Sequence, residues 1–591
     1  MLLPAFYEAA VCLYANTRIM SSHTHLLIGC AMSDFSRISS RNELADFLAI
    51  PRKMLTYILY VRKVENLYQS FEIPKKNGET RKIDAPTYAL KDIQKRLTNA
   101  LWNHQQEIWE QASIHPCMSH AFEPGKSIIT NAKVHRNKRF VVNIDLENFF
   151  HSFHFGRVQG FFVKNKAFQF PYDVATVIAQ LTCYQGHLPQ GAPSSPIITN
   201  MICQVLDTRL LRIAKKYKLD YTRYADDLTF STNYKMFHDN CSNFYSDLSE
   251  EISKAGFRIN NSKTRLLYKD SKQKVTGLIV NQKINVDGNY YKTTRAMAHA
   301  LYSNGIFNVD GEEGNINQLE GRFAFIDQLE KYNNKIDNKK HDCRHLSARE
   351  KQYQKFLFYK YFYANNTPLI VTEGKTDVSY IRSALKNLRN DYPDLITSSD
   401  SAFEFEIVFL NRTERLQYFL GICQDGADTL KNIYNFYRGI NGVSNHNDYL
   451  QKMCGVLPCK PVILLLDNEI ISKEKPLYKL VNHMNLDDKK KTALLKNLHI
   501  NVTGNLYLLT TPLSGGKKES EIEDLFTPDT LSHKIAGKTF SRDVRPNEEK
   551  NYGKHIFSSY ISRNYSSVDF SGFRPLLDGL NEIIKNYASH N

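Results

Sequence analysis

Tyr224-Ala225-Asp226-Asp227, followed at once by Leu228-Thr229-Phe230, is the stretch of this 591-residue chain that most directly predicts its fold. Two adjacent aspartates lie between apolar and aromatic residues. Because successive side chains of a strand point to opposite faces, the two carboxylates cannot both serve one core. The pattern therefore predicts a tight hairpin turn that presents carboxylates. A plain surface turn is the alternative for an isolated pair of aspartates.

A third carboxylate, Asp145, lies at the end of another short β-type run, which begins at Val141 and is followed by Phe149 and Phe150. Three carboxylates at strand ends are the ligands with which two Mg²⁺ ions clamp the attacking 3′-oxygen and the leaving pyrophosphate of a nucleotidyl transfer. This context favours a metal site over a surface turn. Asp145, Asp226 and Asp227 are therefore predicted to be metal ligands and catalytic residues.

The composition favours a polyanionic partner and a location away from membranes. The chain has 77 Lys and Arg against 61 Asp and Glu, a net charge of +16, although ribosome-bound and membrane-surface proteins share such an excess. No run approaches the roughly 20 apolar residues that span a bilayer. Ten cysteines without a Cys-x-x-Cys pair argue against a zinc site and favour a reduced, cytoplasmic setting.

The pattern of elements along the chain predicts more than one domain. Apolar spacing predicts helices over 41–68, and Asn-Gly within Lys76-Asn77-Gly78 predicts a hairpin over 71–85. Short β runs alternate with helical stretches over 141–280, and residues 291–365 are helical and polar. Farther along, Pro368–Thr372 and Pro461–Leu466 are continuous apolar strands, which is typical of a parallel sheet covered on both faces.

Taken in order, the boxes of residues 70–280 resemble a reverse transcriptase, and specifically that of a bacterial retron. The resemblance implies that Asp145, Asp226 and Asp227 are the catalytic carboxylates. It also implies that the Leu188–Pro196 motif lines the incoming nucleotide and the template. The nucleotide-binding residues that it implies are Arg81 and Lys263 at the triphosphate, Phe150 against the ribose 2′-OH, and Gln190 and Gly191.

Two further boxes narrow the resemblance to retrons. The run from Asn131 to His135 matches the retron NAxxH element, and Val275-Thr276-Gly277 matches the retron VTG element. The resemblance implies that these residues serve recognition of the retron RNA. For His135, a helix histidine with satisfied hydrogen bonds is the alternative. A group II intron or another defence reverse transcriptase is a family alternative that both boxes oppose.

The resemblance implies an activity, partners and a cofactor. Retron enzymes bind a structured noncoding RNA, prime from a guanosine 2′-OH in it and copy part of it into branched multicopy single-stranded DNA (msDNA). The expected partners are the cognate RNA, the msDNA and deoxynucleoside triphosphates (dNTPs), and the expected cofactor is two Mg²⁺ ions. A homo-oligomeric ribonucleoprotein is compatible with this expectation.

A second set of acids follows the later apolar strands. Glu373 lies in Val371–Asp377, and Asp467 and Glu469 lie at the end of the next such strand. Parallel strands deliver their carboxyl ends to one edge, so these three acids are expected to converge there around a cation. The arrangement resembles a Toprim domain, whose second box is usually Asp-x-Asp, whereas this chain has Asp467-Asn468-Glu469.

Residues near the carboxyl terminus extend that resemblance to the nuclease branch of the Toprim family. Glu521 and Glu523 resemble its acidic box, with a solvated helix start as the alternative. Lys554 resembles its late lysine, which would stabilise phosphate charge during cleavage. The resemblance implies one or two Mg²⁺ ions at Glu373, Asp467, Glu469, Glu521 and Glu523. It also implies a nucleic-acid target, either DNA or RNA.

The predicted fold is therefore α/β and α+β multidomain, a right-hand polymerase followed by a Rossmann-like Toprim domain with a parallel sheet. The predicted boundaries are an N-terminal extension over 1–40, fingers and palm over 41–290, thumb and linker over 291–365, and a Toprim-like nuclease domain over 366–591. Met20 and Met32 leave the native start open, because the family-like pattern begins after Met32.

These expectations combine into a fused retron protein that acts in anti-phage defence, with its nuclease held in check by the RNA–DNA hybrid. One alternative makes the C-terminal domain only a nucleic-acid-binding module. Another makes the palm mainly an RNA-docking platform for a toxin.

Overall fold

The computed structural model describes residues 35–74, 78–113, 118–399, 402–543, 547 and 549–590. They form two compact units that divide between Tyr291 and Lys292. Most of the predicted extension over 1–40, with Met20 and Met32, lies outside the described residues, as do Lys76 and Asn77 of the predicted hairpin turn. None of the helices in the described part of the chain combines the length and the apolar character needed to cross a bilayer.

The first unit consists of helices around a four-stranded antiparallel sheet and two small hairpins. Its helices are α1 Arg41–Phe47, α2 Arg52–Thr56, α3 Tyr88–Gln111, α4 Ile128–Val134, α5 Phe155–Lys164, α6 Tyr172–Thr182, α7 Ser195–Lys216 and α8 Cys241–Lys254. Its strands are β1 Tyr68–Pro74, β2 Thr80–Pro86, β3 Phe140–Asp145, β4 Asp220–Tyr224, β5 Asp227–Thr232, β6 Arg265–Tyr268, β7 Lys274–Val275 and β8 Leu278–Ile279. Tyr57–Arg62 is a π-helical turn that continues α2.

The central sheet of this unit has the order β4-β5-β3-β6. Its inner face is aromatic: the Tyr221 ring stacks on Phe230 with 4.7 Å between centroids, and Phe230 meets Phe244 of α8 edge-on at 5.2 Å. Such pairs add specificity to the apolar burial that holds a helix layer against a sheet. The hairpin predicted over 71–85 is confirmed, because β1 and β2 pair antiparallel from Tyr68↔Pro86 to Pro74↔Thr80.

The second unit is a mixed sheet with helices on both sides. Its helices are α9 Gly288–Asn304, which begins just before the division, α10 Ile316–Ile336, α11 Ala348–Phe358, α12 Lys375–Asn387, α13 Glu414–Leu420, α14 Lys431–Arg438, α15 His446–Cys454, α16 Pro476–His483, α17 Asp488–Asn497, α18 Pro528–Leu531, α19 Lys554–Arg563 and α20 Arg574–His590. Its strands are β9 Asn308–Val309, β10 Glu312–Glu313, β11 Leu369–Thr372, β12 Ile396–Ser399, β13 Ala402–Phe405, β14 Val408–Phe409, β15 Val462–Leu466, β16 His499–Thr503, β17 Leu506–Thr510, β18 Thr539–Phe540 and β19 Asn551–Tyr552.

Five of these strands form one sheet with the order β14-β11-β15-β17-β16. The first four run parallel, and β16 pairs antiparallel with β17. Every residue of β11 and β15 is buried, as continuous apolar strands require when both faces of a sheet are covered. The parallel pairing expected of the two apolar runs is therefore confirmed, while the assignment to the Toprim family stays a prediction.

Residues 291–365, the predicted thumb and linker, lie in the second unit from Lys292 onward. The Tyr353 ring of α11 stacks on Phe323 of α10 at 5.4 Å and meets Phe419 of α13 at 4.7 Å. Gln354 donates hydrogen bonds to the carbonyl oxygens of Cys343 and Phe419. These helices thus share an apolar core with the helices of the five-stranded sheet, and a thumb role for them stays a prediction.

Candidate active sites

Strand register brings the three acids of the first unit together. Asp145 at the end of β3 lies directly opposite Asp227 at the start of β5. Ala225 and Asp226 form the two-residue turn between β4 and β5, and Ala225 adopts a left-handed φ of 55°. The Leu146 amide donates to the Asp226 carbonyl oxygen at 3.0 Å, which ties the turn to the end of β3. The predicted hairpin that presents carboxylates is therefore observed.

The like charges of the three acids at this end of the sheet repel one another. Burial and then Asp145 raise the pKa of Asp226, and burial followed by Asp226 and Asp145 raises that of Asp227, although Asp227 keeps contact with solvent. Lys263 relieves part of the repulsion, because its ammonium lies 3.1 Å from both carboxylate oxygens of Asp145. The cluster therefore favours a further cation.

Carboxylate oxygens are the ligands that Mg²⁺ prefers in proteins, and the donor set of Asp145, Asp226 and Asp227 fits that ion. Within the residues that the structure describes, no group of three or more His, Cys, Asp or Glu side chains is arranged closely enough to hold a metal ion as it stands.

Gly191 has a structural role that its sequence context did not reveal. Its φ is 128°, and a Cβ at this position would lie 2.7 Å from the Asp84 carbonyl oxygen. The Asp84 amide donates to the Gln190 carbonyl oxygen at 2.8 Å. Glycine is therefore required for β2 to lie against the Leu188–Pro196 motif. The close approach that this glycine permits is to protein backbone.

Of the other predicted nucleotide-binding residues, Arg81 and Lys263 lie close enough to the three acids to act on their charge. Burial and Asp145 raise the pKa of Asp226, and the positive charge of Arg81 on β2 offsets part of that rise. Phe150 begins a short 3-10 helix, Phe150–Ser152, and its ring packs edge-on against Phe149 with 5.5 Å between centroids. The Lys263 ammonium contacts Asp145, as described above.

A buried ion pair that the sequence did not single out supports the catalytic hairpin. Arg223, the residue before Tyr224, is fully buried and donates to both carboxylate oxygens of Asp207 at 2.8 Å. The Tyr221 hydroxyl donates to the same carboxylate at 2.8 Å. These bonds fix β4 to α7. The available signal was an arginine next to Tyr224 in the strand that leads into the aspartate pair.

The residues predicted to recognise retron RNA divide into two groups. Asn131, His135 and Val275 are buried, and the polar atoms of the first two bond to other protein side chains. In this structure the three side chains pack within the protein, and their role in recognition of the retron RNA stays a prediction. Thr276 and Gly277 form the turn between β7 and β8, with φ of 45° and 86°, and Gly277 is exposed.

In the second unit, acids converge at the carboxyl edge of the parallel sheet. Glu373 follows β11, and Asp467 follows the neighbouring strand β15. Burial, then Asp377 and Glu469, raises the pKa of Glu373 to about 7. Burial and then Glu373 raises the pKa of Asp467 well above its ordinary value. The structure thus brings Glu373, Asp467 and Glu469 together, as the strand-end argument predicted.

The acidic box lies against the same edge. The Ile522 amide donates to the Asp467 carboxylate at 2.8 Å, which places the start of the 3-10 helix Ile522–Leu525 beside it. The Lys554 ammonium lies 3.1 Å from Glu523 and 3.7 Å from Glu521. The Glu523 side chain has no exposed surface, so a solvated helix start is excluded for that residue.

Three charged residues of this site were missed by the sequence analysis. Asp377 accepts from the Gly374 amide at 2.8 Å, and burial raises its pKa to about 6. Lys475 forms an ion pair with Glu469, and Arg542 lies 3.6 Å from Glu521. Asp377 carried a signal, since an acid three residues after a helix N-cap commonly caps it. No sequence feature around Lys475 or Arg542 indicated a role at this site.

Buried carboxylate oxygens give the second site the donor chemistry of a divalent-cation site. Glu373 Oε2, Glu521 Oε2 and Glu523 Oε1 are buried and accept no hydrogen bond among the described residues. A buried carboxylate oxygen without a partner is costly, and a hard cation is the ligand that satisfies several of them at once. Glu373, Asp467, Glu469, Glu521 and Glu523 therefore have the donor chemistry for Mg²⁺.

Comparison with known proteins gives matches for the first half of the chain. Residues 73–280 match the sequence profile of the family described as reverse transcriptase (RNA-dependent DNA polymerase). The chain is 32% identical over 322 residues to the retron Mx162 reverse transcriptase of Myxococcus xanthus, covering 49% of this chain and 64% of that protein, slightly less than two thirds of its length.

A second relative is matched over most of its length. The retron Ec86 reverse transcriptase of Escherichia coli is 32% identical over 305 residues, which cover 51% of this chain and 87% of that protein. Among solved structures, apo telomerase from Candida tropicalis matches 49% of this chain and 60% of its own with 12% identity and a TM-score of 0.30, too low to bear on the fold. On the extent of the Ec86 match, the chain belongs to the retron reverse transcriptase family.

Proposed function

We propose that the first unit is an RNA-directed DNA polymerase that copies part of a cognate retron RNA into branched msDNA, priming from a guanosine 2′-OH. The observation that carries the polymerase assignment is the register that sets Asp145 opposite Asp227, with Asp226 in the adjoining turn. Family membership supports the RNA template, and the resemblance of the NAxxH and VTG boxes supports the retron type of priming.

Each predicted residue has a role in this reaction. Asp145, Asp226 and Asp227 would hold two Mg²⁺ ions, which when bound activate the 3′-oxygen and neutralise the leaving pyrophosphate. Arg81 and Lys263 supply positive charge for the triphosphate, and the Phe150 ring limits the space for a ribose 2′-OH. Gly191 keeps β2 against the motif that contains Gln190, so the walls of the nucleotide site stay together.

For the second unit, the proposed activity is Mg²⁺-dependent cleavage of nucleic acid by a Toprim-like site. The support is the set of acids at the carboxyl edge of the sheet together with the buried oxygens of Glu373 and Glu523 that accept no hydrogen bond among the described residues. Glu373, Asp467, Glu469, Glu521 and Glu523 would hold one or two Mg²⁺ ions, which when bound activate the attacking water. Lys554 would stabilise the charge that develops on the phosphate.

The two activities combine into one anti-phage protein in this proposal. The polymerase makes the RNA–DNA hybrid, and the bound hybrid restrains the attached nuclease until infection. The net charge of +16 suits retention of a polyanion, and a homo-oligomeric ribonucleoprotein in the cytoplasm suits such restraint. If protein stripped of nucleic acid were no more nucleolytic than the complex, the restraint proposal would fail.

The polymerase assignment is tested by the nucleic acid that copurifies with the protein. The wild-type protein expressed with its RNA should yield a branched, RNA-linked DNA that loses its branch on debranching-enzyme treatment. Asp226→Asn combined with Asp227→Asn should yield the RNA without DNA. Recovery of RNA alone from the wild type would contradict the proposed synthesis and favour an RNA-docking role for the palm.

The nuclease assignment is tested with Glu373→Ala. This variant should retain DNA synthesis and lose Mg²⁺-dependent cleavage of single- and double-stranded DNA and of RNA. Lys585→Ala is the matched control, because Lys585 forms an exposed ion pair with Asp394 away from the acids. A Glu373→Ala protein that still cleaves would exclude the assignment. A wild type that binds nucleic acid without cleaving it would favour the binding-module alternative.

A further inference from the structure

A chain of buried hydrogen bonds lies behind the hairpin that carries Asp226 and Asp227. His135 contacts Ser231 Oγ through Nδ1 and Thr222 Oγ1 through Nε2, each at 2.7 Å. The Thr222 hydroxyl donates to Asn131 Oδ1 at 2.5 Å, and the Asn131 amide donates to Thr276 Oγ1 at 3.4 Å. His135 and Asn131 have no exposed surface. We call these five residues the hairpin clamp.

The direction of each hydrogen bond follows from the donors that are available. Asn131 Oδ1 can only accept, so the Thr222 hydroxyl donates its hydrogen to that atom. The Thr222 hydroxyl oxygen therefore accepts from His135 Nε2–H. His135 Nδ1 then has no hydrogen and accepts from the Ser231 hydroxyl. Burial, and then the charges of Lys138 and His120, lowers the pKa of His135 to about 3, which agrees with a neutral ring. Every member therefore has one defined orientation.

The clamp joins both strands of the catalytic hairpin to two neighbouring elements. Thr222 belongs to β4, four residues before Asp226, and Ser231 belongs to β5, four residues after Asp227. Asn131 belongs to α4, and Thr276 to the β7–β8 turn. A shift of Thr222 or Ser231 would therefore reach the aspartates of the turn along four residues of a single strand.

The element that supplies the histidine is itself fixed. Helix α4 begins with a capping box, in which the Ser127 side chain accepts from the Thr130 amide and the Thr130 side chain accepts from the Ser127 amide. His120 also bonds to the Thr130 hydroxyl at 2.9 Å. His135 is the C-cap residue of this helix. A short helix held at both ends is a firm support for the strands that lie against it.

We propose that His135 and Asn131 are positioning residues for DNA synthesis, which hold the β4–β5 hairpin so that Asp226 and Asp227 stay aligned with Asp145. The proposal rests on the polymerase activity proposed above. It gives the NAxxH box a role inside the protein, while Gly277 of the VTG box is exposed and accessible to RNA. A misplacement of about 1 Å in a catalytic group can lower a rate by about 100-fold, so a small movement of the hairpin suffices.

Thr222→Val and Thr222→Ser are the variants that test the clamp. Valine keeps the shape and removes the hydroxyl, which leaves His135 Nε2–H and Asn131 Oδ1 without partners, whereas serine keeps the hydroxyl. At saturating RNA, Thr222→Val should lower kcat for dNTP incorporation at least about 10-fold, with the KM for dNTP and the Kd for RNA within about 2-fold of wild type. Thr222→Ser should stay within about 3-fold of wild type in kcat.

Hydrogen exchange of the backbone amides over 220–232 supplies a readout that does not depend on activity. Thr222→Val should exchange faster there relative to the rest of the first unit, and Thr222→Ser should not. A Thr222→Val protein with wild-type kcat and protection, or with weakened RNA binding and unchanged kcat, would overturn the proposal. If the wild type made no DNA, the proposed polymerase function would fail, and the exchange measurement would still decide whether the clamp holds the hairpin.

Discussion

Asp145 and Asp227 face each other across two antiparallel strands, as the last pair in the register between β3 and β5. Backbone pairing holds them there against the repulsion of their charges. Lys263 contacts both carboxylate oxygens of Asp145 at 3.1 Å, and its charge also offsets part of the rise in the pKa of Asp226 and Asp227. The site is therefore assembled by the sheet rather than by bonds among its acids. Repulsion among the acids lowers the free energy of unfolding.

Gly191→Ala should disrupt polymerase activity through the backbone. The new Cβ would lie 2.7 Å from the Asp84 carbonyl oxygen, and the φ of 128° disfavours a side chain. We expect at least a 10-fold loss (about 1.4 kcal/mol) in kcat/KM for dNTP, measured by primer extension. Gly160→Ala is the control, since Gly160 lies in α5 with open space around it. Equal activity of both variants would contradict the prediction.

Breaking the buried Arg223–Asp207 pair should destabilise the first unit strongly. Arg223→Met or Asp207→Asn leaves a buried charge without its partner, which costs about 3–5 kcal/mol. Removing both charges, as Arg223→Met with Asp207→Leu, should cost less than either single change. Denaturant unfolding monitored by circular dichroism measures the effect. Lys254→Ala, which breaks an exposed pair with Glu250, should change stability by under about 1 kcal/mol.

Asp227→Asn should raise the melting temperature in the absence of divalent metal. The folded-state pKa of Asp227 is raised, so the folded state holds this proton more tightly than the unfolded chain and the ionised group destabilises the fold at pH 8. Protonation removes that cost, so the advantage of the variant should shrink as the pH falls toward 5. Thermal unfolding in EDTA measures it. An Asp227→Asn protein that melts below wild type at pH 8 would contradict the expected charge repulsion.

Mg²⁺ binding to the second unit should depend on pH through Glu373. Its pKa is raised to about 7, so this carboxyl is largely protonated at pH 6 and must lose the proton to bind metal. The Mg²⁺ concentration for half-maximal cleavage should therefore be several-fold higher at pH 6 than at pH 8. Glu373→Asp serves as a comparison that keeps the carboxylate. An identical Mg²⁺ requirement at both pH values would exclude Glu373 as a ligand.

Much of the site architecture could be predicted because it is encoded locally. A two-residue turn between short β runs is sufficient to predict that Asp226 and Asp227 lie at a hairpin tip. Continuous apolar runs predict parallel strands, and parallel strands place Glu373 and Asp467 at one edge. Both predictions need only the spacing of the apolar residues, the residue types of the turn and the direction of the strands.

Other features depend on partners that are far away in the sequence. The residues of the NAxxH box match the retron element in sequence, but the match does not reveal that Asn131 and His135 point inward to Thr222 and Ser231. Likewise, nothing around Arg223 identifies Asp207 as its partner, and nothing around Lys475 or Arg542 identifies the acids that they neutralise.

The amino-acid sequence by itself determined the family, the hairpin with its three carboxylates and the edge at which the second set of acids gathers. Only the tertiary structure decided which of the matched residues are buried, which cations compensate the acids, and that residues 292–365 share a core with the C-terminal sheet. The physical reason is that hydrogen bonds and ion pairs form between elements brought together by burial of apolar surface, and a local pattern specifies its own conformation without specifying its partner.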